Sequence, residues 1–158
     1  MTHTQWYIGA PNGVILCVDG MHEGELSGRL YHSYRTEPQP FASAKQMISH
    51  MEDLYAALNF PHPGTNERSF IPVKHTEEHY SERDRIMSDE RLLNQHGDLG
   101  TFIVRVQHRQ NSSWQGRITW MEQDKTISFR SVWELVKLIE NAVDTVSSEE
   151  DREEVPSW

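Results

Sequence analysis

One cysteine in 158 residues, Cys17, leaves no partner for an intrachain disulfide, so no covalent framework holds this chain together. Apolar residues are scarce as well: they make up 36% of the sequence, with a mean hydropathy of -0.70. No apolar run approaches the roughly 20 residues that a membrane-spanning helix requires. Basic residues are outnumbered, 15 Lys and Arg against 24 Asp and Glu, for a net charge of -9. That balance disfavours bulk nucleic acid as a partner, because phosphate backbones are held by clustered Lys and Arg. The N-terminus, Met1-Thr-His-Thr-Gln-Trp6, has neither a basic n-region nor an apolar h-region, so the expected location is cytoplasmic, with no membrane contact. Catalytic signatures are missing too. Gly9-Ala-Pro-Asn-Gly13 leads into a strand rather than a helix and so makes no phosphate loop. Cys17 sits in an apolar strand, as a small buried hydrophobe would. No Ser-His-Asp or Cys-His set can be assembled, and neither catalysis nor a cofactor is expected.

What the sequence does contain is a repeated pattern. Shifting the chain by 88 residues aligns 14–58 with 102–146 without a gap. The identities are seven: Ile15/Ile103, Val18/Val106, Gly28/Gly116, Arg29/Arg117, Phe41/Phe129, Ser43/Ser131 and Glu52/Glu140. Side-chain type carries more than identity does. Val14, Leu16 and Val18 alternate as Phe102, Val104 and Val106 do, placing each set on one face of a strand. A polar turn follows, His22-Glu-Gly-Glu25 or Gln110-Asn-Ser-Ser113, and then a second strand, which reads as a hairpin. A third short strand ends at Phe41 or Phe129; Pro38 and Pro40 predict an edge position for the first of these. Ser43-Ala-Lys-Gln46 and Ser131-Val-Trp-Glu134 both fit the capping box that opens a helix. Met47, Ile48, Met51, Leu54, Tyr55 and Leu58 then match Leu135, Val136, Ile139, Ala142, Val143 and Val146 as amphipathic stripes.

The pattern predicts an α+β fold: two duplicated β-β-β-α modules, antiparallel sheet or sheets with two amphipathic helices, and a pseudo-two-fold between them. Residues 1–58 form the first module and 101–146 the second. One module alone buries too little surface to be stable, so the two are expected to share a core, in one sheet or in two. Residues 59–100 read as a polar, His-rich linker, partly helical around Ile86, Met87, Leu92 and Leu93. Residues 147–158 read as a frayed acidic tail ending in Trp158.

Candidate chemistry concentrates in the second module. Arg105, Arg109, Arg117, Arg130 and Lys125 face only Glu122 and Asp124 between Thr101 and Ser131, a positive stretch in an acidic chain. Arg beside Trp is the composition of binding hot spots. The expected contact surface is therefore Arg105, Arg109, Asn111, Ser113, Trp114, Gln115 and Arg117, used by a non-catalytic binding or regulatory module. Trp120 is expected in the core, and Trp133 as a staple between helix and sheet. A protein partner is the first expectation and a nucleotide ligand the second. Arg105-Val-Gln-His-Arg109 and Asn111-Ser-Ser-Trp-Gln-Gly116 fit the letter of the two motifs of PilZ-type cyclic-di-GMP receptors, R-x-x-x-R and [DN]-x-S-x-x-G. The resemblance implies a cyclic-dinucleotide sensor with Arg pairs on phosphate. The spacing departs from that family, because one residue, Gln110, separates the motifs where a strand should lie. Strand geometry puts Arg105 and Arg109 on one face, roughly 13 Å apart. His75-Thr-Glu-Glu-His79 offers His75, Glu78 and His79 as weak metal ligands for a small metal-dependent enzyme, with a third imidazole from His62 or His96. With nine His in the chain such spacings arise readily.

The run from Thr101 to Trp120, followed by Phe129-Arg-Ser and Glu134-Leu, resembles a group of small bacterial proteins whose signature is RQNxSWQG, a strand ending in Trp, then FRSxxEL. Ile15-Leu-Cys-Val-Asp19, Ser27-Gly-Arg29 and Asn59-Phe-Pro61 are similar to the leading half of their two-part members. The resemblance implies a shared fold and a bacterial source; it carries no activity with it.

Overall fold

The structure, a computed structural model, describes residues 13–58, 85–110 and 113–153. In chain order the elements are β1 (Val14–His22), β2 (Glu25–His32), β3 (Arg35–Phe41), α1 (Ala44–Leu58), α2 (Asp89–Leu93), β4 (Gly100–Gln110), β5 (Ser113–Trp120), β6 (Lys125–Phe129) and α3 (Val132–Glu153). All six strands join one antiparallel sheet in the order β3-β2-β1-β4-β5-β6, so the fold is α+β. The expectation of two helices needs correcting. The short α2 is a third, capped by Ser88, whose hydroxyl accepts the Arg91 N–H. The last helix also runs to Glu153, beyond the expected end at 146. No helix among the described residues is long and apolar enough to cross a membrane.

Period-two patterning sorts the strands into two faces. Val14, Leu16, Val18, Leu30, Phe41, Phe102, Val104, Val106, Ile118 and Phe129 face α1 and α3, whose Met47, Met51, Leu54, Tyr55, Leu135, Ile139 and Val143 complete the main core. On the other face Ile15, Cys17, Tyr31 and Ile103 pack against Met87, Leu92 and Met121. The part of the expected linker that is described, 85–99, is thus a cover for the sheet. It is pinned by backbone bonds from Ile86 and Met87 to the Ser33 carbonyl and from Leu99 to the Val18 carbonyl. Burial pushes the Cys17 thiol up to about 12, in keeping with its place in this second core.

Local geometry recurs along the chain. Val18 opposes Gly28 and Val106 opposes Gly116, and each pair is followed by a register shift in the first strand. Gly28 opposes Phe41, and Gly116 opposes Phe129. At the centre of the sheet Ile15 opposes Ile103. Ser43 and Ser131 both cap, their hydroxyls accepting the N–H groups of Gln46 at 3.1 Å and Glu134 at 3.0 Å. Glu23 and Gly24, both at positive φ, close the first hairpin in two residues, the turn that matches strand twist.

The two opposed glycines are required by close approach. A Cβ on Gly28 would overlap the Cys17 carbonyl oxygen, and one on Gly116 would overlap that of Arg105. Both obstacles are backbone, so the strands themselves would have to part. Gly28→Ala and Gly116→Ala are each expected to lower stability by about 2–3 kcal/mol in urea denaturation. Losses under about 0.5 kcal/mol would show that the sheet accommodates a Cβ there.

His32, at the end of β2, is buried, and its Nδ1 accepts the Tyr34 N–H at 3.1 Å. Burial, aided by Arg35 and opposed by Gln39, lowers its pKa to about 4 from 6.5. Between those values the unfolded ring takes up a proton that the folded ring refuses. Stability therefore falls as pH drops from about 6.5 to about 4, by up to roughly 3 kcal/mol from this group. His32→Asn keeps an acceptor near Nδ1 and should flatten that part of the pH–stability curve; an unchanged slope would assign the loss to carboxylates.

Candidate functional site

Strands β4, β5 and β6 contain no acidic residue, while they carry Arg105, Arg109, Arg117 and Lys125. Strands β1 to β3 mix Asp19, Glu25 and Glu37 with Arg29 and Arg35. The basic stretch seen in the sequence is therefore a property of one half of the sheet.

The register shift between Val106 and His108 decides which side chains meet. Arg105 opposes Arg117, whereas Arg109 opposes Trp114. Trp114 and Arg117 are three residues apart on one strand and so point to opposite faces. The expectation that Arg105 and Arg109 share a face is corrected by this bulge, which inserts one residue and flips everything beyond it. Arg105, Gln115 and Arg117 lie on the face away from α1 and α3, joined by His108, which the sequence reading had not singled out. Arg117, Gln115 and His108 are exposed and Arg105 is half-buried.

Arg109 and Trp114 belong to the helix side. Trp114 is 1% exposed and meets Tyr55 of α1 edge-on, ring centroids 5.4 Å apart at 74°. The Arg109 guanidinium stands 5.8 Å from the Tyr55 ring centre. Burial pushes the Tyr55 phenol far above its ordinary pKa, with Arg109 pulling it partly back. Trp114 thus fills the core, where the sequence suggested a contact residue. Ser113 is exposed and its hydroxyl donates to the Arg130 carbonyl at 3.4 Å. Asn111 lies outside the described residues. Trp120 lies half-buried with its ring stacked on Phe102 at 6.3 Å. Trp133 does not staple the helix to the sheet: it is 70% exposed, with Lys137 over its ring at 4.7 Å.

The first half treats the corresponding positions differently. Arg29 opposes Cys17 rather than a second Arg, and it donates to Asp19 at 3.0 Å and 3.3 Å, to the Tyr31 hydroxyl at 2.8 Å and to the His96 carbonyl at 2.8 Å. Asp19 also accepts the Asp98 N–H at 3.1 Å. At the place of Asp19, 88 residues on, stands Gln107. His75, Glu78, His79 and His62 lie outside the described residues. Among the described residues no group of three or more His, Cys, Asp or Glu is arranged to hold a metal ion, His96 included. In comparisons with protein-family models, curated proteins and solved structures, the chain matches none.

Trp114→Ala is expected to lower stability by about 3–5 kcal/mol, the range for emptying a large aromatic site. Chemical denaturation checks it; a change below about 1 kcal/mol would put the indole on the surface.

Proposed function

We propose that the chain is a non-catalytic binding module that receives an acidic segment of a protein partner on the open face of β4 and β5. The observation that carries the reading is the register pairing of Arg105 with Arg117 on strands free of acidic residues. A carboxylate reaching this pair of strands would meet two guanidinium groups able to donate charge-assisted hydrogen bonds. Gln115 and His108 supply further polar contacts beside them. At the counterpart position in the first half, Arg29 opposes Cys17 and is paired with Asp19, so no second guanidinium stands across from it.

We also infer that the chain arose by duplication of one β-β-β-α module, with a pseudo-two-fold axis at the Ile15–Ile103 pair. The reading is supported by the common offset of 88 residues for the Val–Gly and Gly–Phe pairs, for the bulges and for the capping serines. Two strands related in this way must pair antiparallel at a residue and its own equivalent, as Ile15 and Ile103 do.

The test is fluorescence anisotropy at low salt with a labelled glutamate-rich peptide and a labelled cyclic dinucleotide. The peptide is expected to bind, to weaken with added salt, and to bind about tenfold less tightly to the Arg105→Gln/Arg117→Gln protein. Lys137→Gln, on the helix side, should change nothing. The melting midpoint of the double variant should stay level or rise. Binding indifferent to the double substitution would remove the reading. Binding of the dinucleotide alone, lost with Arg109→Gln, would replace it with a nucleotide sensor.

A further inference from the structure

On the opposite face of the sheet, between α3 and strands β4 to β6, lies a cavity of about 260 Å³. Its body is apolar, built by Phe102, Ile118, Trp120, Ile127, Leu138 and Ala142. Lys125, Asn141 and Thr145 stand at its exposed rim. The other half of the molecule explains why this hollow exists. Ala142 holds the place that Leu54 holds on α1, 88 residues earlier, and Leu54 is buried in the main core. The turn after β2 also sends Tyr34 into that core, at 6% exposure. The turn after β5 is a 3-10 turn, Met121–Gln123, and it sends Met121 to the other face. One half is filled by its own leucine and tyrosine; the other is left empty where both are missing.

The hollow is open to solvent, with Ile127 half exposed on its wall, so a filling molecule would take this apolar surface out of water. The rim restricts which molecule. Lys125 and Asn141, both exposed at the rim, carry an ammonium and an amide within a side chain's reach of the opening, while the Thr145 hydroxyl is already donated to the Asn141 carbonyl at 2.8 Å. The donors call for an acceptor head group; strands β4 to β6 bring no carboxylate to the rim, while Glu140 and Asp144 of α3 and Asp124 before Lys125 flank it. The space exceeds the roughly 150 Å³ that accommodates benzene, which suits a chain of about eight carbons. We infer that this cavity is a binding site for a small aliphatic carboxylate, its chain among Phe102, Trp120, Ile127 and Ala142 and its head at Lys125 and Asn141. The site is independent of the Arg105–Arg117 surface, which lies across the sheet.

The experiment measures thermal midpoints and backbone amide shifts of the whole chain titrated with octanoate, and in parallel with octanol. Octanoate should raise the midpoint saturably, by roughly 3–6 °C at ten times its Kd, and shift amides of β5, β6 and α3. Ala142→Leu, which restores the residue of the filled half, should abolish the effect while keeping or raising the unliganded midpoint. Thr145→Leu closes the rim from another position and guards against misfolding of the first variant. Lys125→Gln should weaken octanoate severalfold and leave octanol alone. No saturable effect of octanoate on the unaltered protein would overturn the inference, as would an effect that survives both filling substitutions. Octanol binding as well as octanoate, with no influence of Lys125, would overturn the carboxylate assignment.

Discussion

The antiparallel pairing of β1 with β4 is the contact on which the rest of the molecule depends. Five residue pairs, from Val14–Val104 to Val18–Gly100, tie two three-stranded sheets into one. Each half alone has a single helix on a narrow sheet of about 45 residues, too little surface to overcome the entropy of ordering its chain. Joined, the two central strands become almost fully buried: Val14 to Val18 are all at 0% exposure, and Phe102 to Val104 at 1% or less. A strand buried on both faces reads as a continuous apolar run, which is why Val14-Ile-Leu-Cys-Val18 shows no polar alternation.

Burial on the second face demands a cover, and the 85–99 segment provides it with few apolar residues of its own. Met87 and Leu92 supply the packing, while polar contacts hold the segment in place. Arg29 reaches the His96 carbonyl and Asp19 the Asp98 amide, each anchored by the Arg29–Asp19 ion pair. Both partners of that pair are about one-third exposed, so its contribution is geometric more than energetic. The bulge after Val18 makes room for this arrangement by displacing the strand just where Asp19 lies.

Much of this was legible from the residues. Strand faces, the hairpins, the proline-bearing edge strand and both serine caps follow from period two, turn chemistry and capping, which act within a few residues. The number of sheets was not legible, because the Ile15–Ile103 pairing is a long-range choice that alternation does not encode. Nor was the split of the candidate site. A strand without a bulge puts Arg105 and Arg109 together, and the one-residue slip that separates them leaves its trace only in Gly116, whose missing side chain admits the Arg105 carbonyl. Trp114 was misread for the same reason: a tryptophan beside a polar turn looks exposed until Tyr55 is known to be above it. The thin stripe of Ile86, Met87, Leu92 and Leu93 suggested a partly helical polar linker rather than a cover, since so few apolar residues suffice only when a sheet already waits beneath them.

Where two halves of one sheet share a backbone plan, their differences isolate what the plan does not need. At the shared positions the first half has Asp19 and Cys17 around Arg29, and Leu54 with Tyr34 under its helix. The second half has Gln107 and Arg105 around Arg117, and Ala142 with an empty space. The arginine paired with Asp19 in the first half has its counterpart opposite a second arginine, and the place of a core leucine is held by an alanine beside an open apolar hollow. Both departures fall in β4, β5 and β6, one on each face of the same three strands, so a backbone plan that recurs across the sheet is compatible with side chains that diverge on either side of it.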